Sequence, residues 1–324
     1  MPERTKNDKI LLLDTNHEIL EKGLTGAGFS CDYFDDLDRD GLGSIIGNYS
    51  GIIVRSRFRL DKALLEKAEN LSFIGRVGAG MEGIDVAFAA EKGIRCFNAP
   101  EGNRNAVGEH AMGMLLSLMN RLLIADAEVR KGIWLREENR GMELQGKTVA
   151  IIGYGNTGGA FARKLSGFEC PVIAYDKYKS AYSDEYVEEA QMERIFDEAD
   201  ILSLHIPLTE ETTYLVRASY LEKFRKNLIL INTSRGKCVH TADLVTAIEE
   251  GKVIGAALDV LEYESQSFEN LYNTQLPDTF KYLTSSQKVI LSPHIAGWTH
   301  ESKLKLAKTI LEKVVSNFIP TISQ

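Results

Sequence analysis

Cysteine is scarce in this chain of 324 residues. There are four, Cys31, Cys96, Cys170 and Cys238, each alone and far from the next. Without a Cys-x-x-Cys pair or a Cys/His cluster of zinc spacing, neither a disulfide framework nor a metal site is expected, and a reducing cytoplasm fits best. Long apolar runs are missing as well. The first, residues 10–13, is far shorter than the core of a signal peptide, its flank mixes both signs of charge, and no stretch approaches the ~20 residues that span a bilayer. Positive charge is in deficit: 38 Lys+Arg against 46 Asp+Glu give a net charge of −8. An acidic surface repels phosphate backbones and anionic lipid, so neither nucleic acid nor membrane is an expected partner, although a local basic pocket for a small anion remains compatible.

What is present is an ordinary globular balance, 44% hydrophobic and 26% charged, in a length that suggests about two domains. Short apolar runs at 9–13, 31–34, 51–54, 71–77 and 94–97 alternate with segments of helical spacing such as 61–68, where Asp61 is placed to cap the helix, and 84–92. The scheme recurs at 148–152, 172–175, 201–205, 228–231, 253–258 and 289–291. Strands separated by about ten helical residues describe βαβ units, so the fold class is α/β with parallel sheets. The join is expected at Asn98-Ala99-Pro100 and the very apolar helix 106–121, which should lie buried between the halves. A last helix at 301–318 has no strand partner and is expected to fold back onto the first half. Residues 265–287, rich in Ser, Asn, Gln and Thr, are expected to form a long loop.

The pattern Gly-x-Gly-x-x-Gly occurs twice, at 78–83 and 153–158. A dinucleotide fingerprint needs a strand before it, a helix after it, and an acid closing the next strand roughly 20 residues on. The second copy, Gly153-Tyr154-Gly155-Asn156-Thr157-Gly158, meets every condition, with Asp176 directly after the strand 172–175. Its glycines allow a tight turn and a close approach of pyrophosphate to helix N–H groups. Asp176 would accept from ribose hydroxyls and repel a 2′-phosphate, which favours NAD over NADP, a preference softened by Lys177 and Lys179. The first copy has no acid at the following strand tip and reads as a nest of N–H groups for another small anion.

Taken together, Val54-Arg-Ser-Arg57, Arg76-Val-Gly-Ala-Gly-Met-Glu-Gly-Ile-Asp85, Asn98-Ala-Pro-Glu-Gly-Asn103 with Val107-Gly-Glu-His110, and 146–158 form one ordered series. It continues through His205-Ile-Pro-Leu-Thr209, Ile231-Asn-Thr-Ser-Arg-Gly236, Ala257-Leu-Asp-Val260 and Ser292-Pro-His-Ile-Ala-Gly297. From about residue 50 to residue 300 the chain resembles the D-isomer-specific 2-hydroxyacid dehydrogenases, and the phosphoglycerate dehydrogenases among them. The resemblance implies a flavodoxin-like substrate domain (1–98 with 296–324) and a Rossmann NAD-binding domain (99–295), with a cleft between two doubly wound sheets. It implies Arg235, Glu264 and His294 as the catalytic set. Ser265-Gln-Ser stands where the family often has Pro, so Glu262 is a rival for Glu264.

The resemblance places Val107, Gly153, Gly155, Asn156, Thr157, Gly158, Asp176, His205, Pro207, Thr212, Thr233, Ser234, Asp259 and Gly297 on the cofactor side. On the substrate side it places Arg55, Arg57, Gly78, Ala79, Gly80 and Asn103. The chemistry suits these types. Reduction of a 2-keto acid needs a proton donor, for which histidine titrates in the right range, and a neighbouring carboxylate favours its charged form. Arginine holds a carboxylate with a planar, permanently charged fork. His17, His110, His240 and His300 read as surface or packing residues, and Cys238 as packing. Arg55 and Arg57 point to 3-phosphoglycerate as substrate, with hydroxypyruvate or glyoxylate reduction, or an NAD-sensing corepressor-like scaffold, as alternatives. No metal is expected, a homodimer is implied, and the length leaves no room for an appended regulatory domain.

Overall fold

The computed structural model describes residues 9–264 and 276–318. They divide into two compact units, residues 9–103 with 298–318 and residues 104–264 with 276–297.

The first unit is a parallel sheet of five short strands: β1 (Lys9–Leu12), β2 (Ser30–Tyr33), β3 (Gly51–Val54), β4 (Phe73–Arg76) and β5 (Arg95–Phe97). Their order, β2-β1-β3-β4-β5, is that of flavodoxin-like folds. β3 is buried along its whole length, because helices cover both faces of a parallel sheet and its strands are therefore apolar throughout rather than alternately. One face packs Leu11, Ile52 and Ile74 against Leu42, Leu64, Leu65 and Ala89. Helices on that side start where an aspartate, Asp38, Asp61 or Asp85, accepts a first-turn N–H. The other face packs Ile10, Leu12, Ile53 and Phe73 against Leu306, Ala307, Ile310 and Val314 of the final helix, His300–Phe318. That helix does close on the first unit. Gly75 in β4 lets it approach, since a Cβ there would stand 2.9 Å from Ile310 Cγ2.

The second unit has seven parallel strands: β6 (Val149–Ile152), β7 (Val172–Tyr175), β8 (Glu188–Glu189), β9 (Ile201–Leu204), β10 (Leu228–Asn232), β11 (Val253–Leu258) and β12 (Val289–Leu291). The order is β12-β11-β10-β9-β6-β7-β8. The chain leaves β6 toward β7 and β8, then returns on the far side through β9. This reversal opens a crevice at the carboxyl ends of β6 and β9, where open α/β sheets take their ligands. The parallel α/β sheets are what the strand spacing implied, and their double winding is what the resemblance implied.

Local details depart from expectation for identifiable reasons. The connecting helix runs Pro100–Met119, beginning six residues earlier than its apolar stretch, because proline lacks the N–H that a first turn leaves unused. Its Ala111, Met112, Met114, Leu115 and Met119 belong to the second unit's own core with Val149, Ile151 and Phe161. Within the expected loop 265–287, residues 265–275 lie outside the described residues, and Asp278–Ser285 is a helix. Pro277 stands at its start, Leu283 is buried in the core, and Phe280 meets Tyr263 edge to face. The two-residue strand Glu188–Glu189 is too short and too polar to show in the pattern.

His205, just past β9, is 9% exposed, stacks near Phe161 and shares a 2.9 Å hydrogen bond between its Nε2 and Ser203 Oγ. Burial pushes its pKa down to about 3. The unfolded chain therefore takes up a proton near pH 6.5 that the folded chain refuses, so this contribution to stability is complete above that pH and is lost as pH falls toward 3. The expected outcome is a melting temperature that drops through this window, with a shallower drop in His205→Gln, measured by calorimetry across pH.

Candidate active site

In the second unit the glycine turn lies between the carboxyl ends of β7 and β9. Gly153 has φ +94°, and a Cβ on it would stand 2.5 Å from the His205 carbonyl oxygen. A Cβ on Gly158 would stand 2.1 Å from the Gly153 carbonyl oxygen. Both glycines are required by the turn itself. Gly155 is different: among the described residues no atom beyond its chain neighbours lies within 4 Å of where its Cβ would be, and it directly precedes the helix Asn156–Leu165. The first N–H groups of that helix, from Asn156, Thr157 and Gly158, have no partner within the helix. A free approach to an N-terminal turn is what a pyrophosphate needs.

Asp176 stands at the tip of β7. One of its oxygens accepts from Tyr154 N at 2.9 Å, and the other accepts from Tyr178 N at 2.9 Å. Beyond β9, Thr212 Oγ1 donates to the Pro207 carbonyl at 2.7 Å and closes that loop into a turn. His205 Nδ1 and Thr233 Oγ1 are shielded from solvent and have no hydrogen-bond partner among the described residues. Val107 is 5% exposed in the connecting helix. The open space at Gly155, the acid at the strand tip and these orphaned polar atoms fit a bound dinucleotide.

The next three strands end in loops that are knitted together. After β10, buried Asn232 accepts from Ser234 N and Ser234 Oγ and donates through Nδ2 to the Arg235 carbonyl, fixing the turn that presents Arg235. Gly236 then lies so close to the loop after β11 that a Cβ would stand 2.0 Å from the Leu261 carbonyl carbon. On that loop the Glu264 carboxylate is held at both ends. Oε1 accepts from Leu261 N, and Oε2 meets His294 Nδ1 at 2.7 Å. Glu264 is thus the acid on His294, while Glu262 accepts from Thr241 N at 3.1 Å. His294 Nδ1 is thereby committed to Glu264.

His294 sits at φ +55°, a strained conformation for a side chain of its size. Asp259 holds it there. Its carbonyl accepts from His294 N at 2.8 Å, and its carboxylate accepts from Ser292 Oγ at 2.6 Å, Ile295 N at 2.9 Å and Ala296 N at 2.9 Å. Burial pushes the Asp259 carboxyl up, but its hydrogen bonds from His110, Ser292 and the two backbone N–H groups outweigh burial and hold it below its ordinary value.

His110, expected as a surface or packing residue, belongs instead to this network. Its Nε2 lies 2.9 Å from Ser292 Oγ, whose single proton goes to Asp259, so Nε2 carries the proton on the histidine. His110 is therefore one end of a relay of hydrogen bonds that supports the His294 turn. The signal for it was its place in Val107-Gly-Glu-His110, one of the stretches that carry the resemblance.

In the first unit the remaining residues gather at the carboxyl ends of β3 and β4. The Arg57 guanidinium donates to the carbonyls of Phe34 at 3.0 Å, Asp35 at 2.5 Å and Leu37 at 2.7 Å. The Arg55 guanidinium lies 4.4 Å over the Trp298 ring. The backbone N–H groups of both arginines reach Asp14, which the sequence did not mark. Arg76 folds over Gly78, occupying the space a side chain there would need. The Gly78 and Ala79 carbonyls are held by Ala99 N and Asn98 Nδ2, while Ala79 and Gly80 are partly open to solvent. Asn103 Oδ1 is shielded and without a partner among the described residues. Among these residues there is no metal-binding cluster and no helix long and apolar enough to cross a membrane.

Residues 112–296 match the family described as "D-isomer specific 2-hydroxyacid dehydrogenase, NAD binding domain". The chain is 33% identical to the hydroxypyruvate reductase of Thermotoga maritima over 86% of its own length and 88% of that protein's. It is 34% identical to the D-3-phosphoglycerate dehydrogenase of Archaeoglobus fulgidus over 86% of its length, but spans only 51% of that longer relative. The D-lactate dehydrogenase of Aquifex aeolicus, solved with NAD and lactic acid, superposes with a TM-score of 0.80 at 27% identity, covering 96% of this chain and 95% of that one. Fold, glycine turn and sequence likeness agree: the chain belongs to the D-isomer-specific 2-hydroxyacid dehydrogenase family of NAD-dependent oxidoreductases.

Proposed function

We propose that this protein interconverts a 2-hydroxy acid and its 2-keto acid through His294, Glu264 and Arg235, and that its substrate pair is 3-phosphoglycerate and 3-phosphohydroxypyruvate. The observation that carries the catalytic part is the 2.7 Å contact of Glu264 with His294 on a loop packed against the Arg235 turn. A bound nicotinamide cofactor supplies or accepts the hydride. His294, with Nδ1 on Glu264, gives a proton to the keto oxygen from Nε2 in reduction and removes it in oxidation. Glu264 fixes the orientation of the imidazole through that contact. Arg235 holds the substrate carboxylate and stabilises negative charge as it builds on the oxygen. On the substrate side, Gly78, Ala79, Gly80 and Asn103 would offer polar backbone and amide groups to the carboxylate.

The phosphate assignment rests on Arg55, Arg57 and Arg76, which gather at the ends of two adjacent strands, more cationic charge than an unphosphorylated acid requires. A second reading, hydroxypyruvate or glyoxylate reduction, is favoured by one observation: the Arg57 fork is committed to three loop carbonyls. A homodimer belongs to the same proposal. The helix Leu122–Val129 has no buried residue, with Leu122, Leu123 and Val129 all more than half exposed, and Trp134 beyond it is 76% exposed. So much apolar surface in one arm is what a second copy would cover.

His294→Ala is expected to lower kcat by about a hundredfold or more while NADH still binds, read by fluorescence titration. Glu264→Gln keeps the hydrogen bond but loses the charge. The expected outcome is a fall in kcat for reduction of about tenfold or more with KM little changed, and an unchanged kcat would separate Glu264 from the proton step. Arg55→Ala should raise KM for phosphohydroxypyruvate about tenfold or more and leave that for hydroxypyruvate nearly unchanged, whereas equal losses would favour the second reading. Leu123→Glu with Trp134→Glu should convert a dimer to a monomer in sedimentation velocity, and an unchanged mass would remove the arm from the interface.

A further inference from the structure

Two lysines, Lys177 and Lys179, directly follow the strand-tip acid Asp176. Ammonium groups beside that carboxylate would welcome a phosphate on the adenosine ribose and oppose the selection Asp176 makes. Both are held elsewhere. Lys179 Nζ donates to the Tyr154 carbonyl at 2.6 Å, tying it to the glycine turn. Lys177 Nζ donates to Glu211 Oε1 at 2.6 Å, and the Glu211 carboxylate raises the lysine pKa through that hydrogen bond. Glu211 comes from the loop after β9, whose own turn is closed by Thr209 N on Thr212 Oγ1 at 2.7 Å and Thr213 Oγ1 on the Thr209 carbonyl at 2.7 Å. Its carboxylate is therefore presented from an ordered turn. Because β7 and β9 flank β6 on opposite sides, the pair reaches from one side of the glycine turn to the other.

We propose that Glu211 is a specificity-determining residue for the cofactor, which by neutralising and holding Lys177 keeps the adenosine ribose site selective for NAD over its 2′-phosphorylated form. Asp176 repels the extra phosphate, and Glu211 neutralises Lys177, the lysine that follows it directly in the chain. The unphosphorylated cofactor carries no charge at that position and is indifferent to the pair. Both side chains are about half exposed, so the effect is of modest size and is screened by salt.

The test uses the full chain and the dissociation constants of NADH and NADPH, read from nicotinamide fluorescence without turnover. In Glu211→Gln, NADPH is expected to tighten about threefold to fivefold at low salt while NADH stays within about twofold. The gain should vanish in Glu211→Gln combined with Lys177→Ala, and at about 1 M salt. An unchanged NADPH-to-NADH ratio in Glu211→Gln, or the same gain in the double variant that lacks the ammonium, overturns the proposal. A wild-type chain that binds the two cofactors equally overturns it as well.

Discussion

One buried carboxylate, that of Asp259, holds three loops in register. It is 1% exposed, and within a few ångströms it takes a serine hydroxyl and two backbone N–H groups, while its own backbone bonds to Asn232 and His294. Burial by itself would drive such a group to its neutral form. The donors outweigh that tendency and keep it charged, which gives the arrangement its rigidity, because a buried charge left short of partners costs more than any distortion of the loops. The turn at His294 shows the result. A histidine at φ +55° costs on the order of 1–3 kcal/mol and persists only when its surroundings leave it no alternative.

The same loops show how a parallel sheet makes a site from residues remote in sequence. Adjacent strands end side by side, so Glu264 and His294 need only short loops to meet, and the turn of Arg235 packs on the Glu264 loop through Gly236, provided each loop has one shape. Asn232 supplies that for the Arg235 turn, the Leu261 N–H for the Glu264 loop, and Asp259 with Ser292 and His110 for the His294 turn. The glycine turn follows a complementary logic. Gly153 and Gly158 are small because the protein's backbone passes too close, whereas nothing among the described residues demands that Gly155 be small. A glycine without an internal reason is best explained by what must approach from outside.

How much of this was legible in the residues depends on the distance over which each feature is determined. Strands such as Gly51–Val54 and Val149–Ile152 are buried on both faces, so apolar runs of four already mark them, and Asp61 announces its helix through a local hydrogen bond. The helix Asp278–Ser285 was missed because only Leu283 in it is buried, and its other support comes from Tyr263 in tertiary contact. At the site, only the resemblance to a family pointed to Arg235, Glu264 and His294, and the choice of Glu264 over Glu262 depends on where a loop turns. His110 was passed over because a histidine on an apolar helix looks like packing until Ser292 is brought to it from 182 residues away. Asp14 was silent for the same reason.

Charge poses a last constraint on the molecule. A net charge of −8 makes the long-range field unfavourable to an anionic acid and to an anionic dinucleotide alike. At physiological salt, fields decay over about 8 Å, so what decides recognition is the charge within one such length of the ligand. Two of its cations are fixed locally: Arg55 lies against Trp298, and Arg76 folds over Gly78. A guanidinium already ordered by the protein loses less side-chain entropy when an anion arrives, which a mobile surface lysine cannot match. An acidic protein can thus take acidic ligands, provided that its few well-placed cations are rigid.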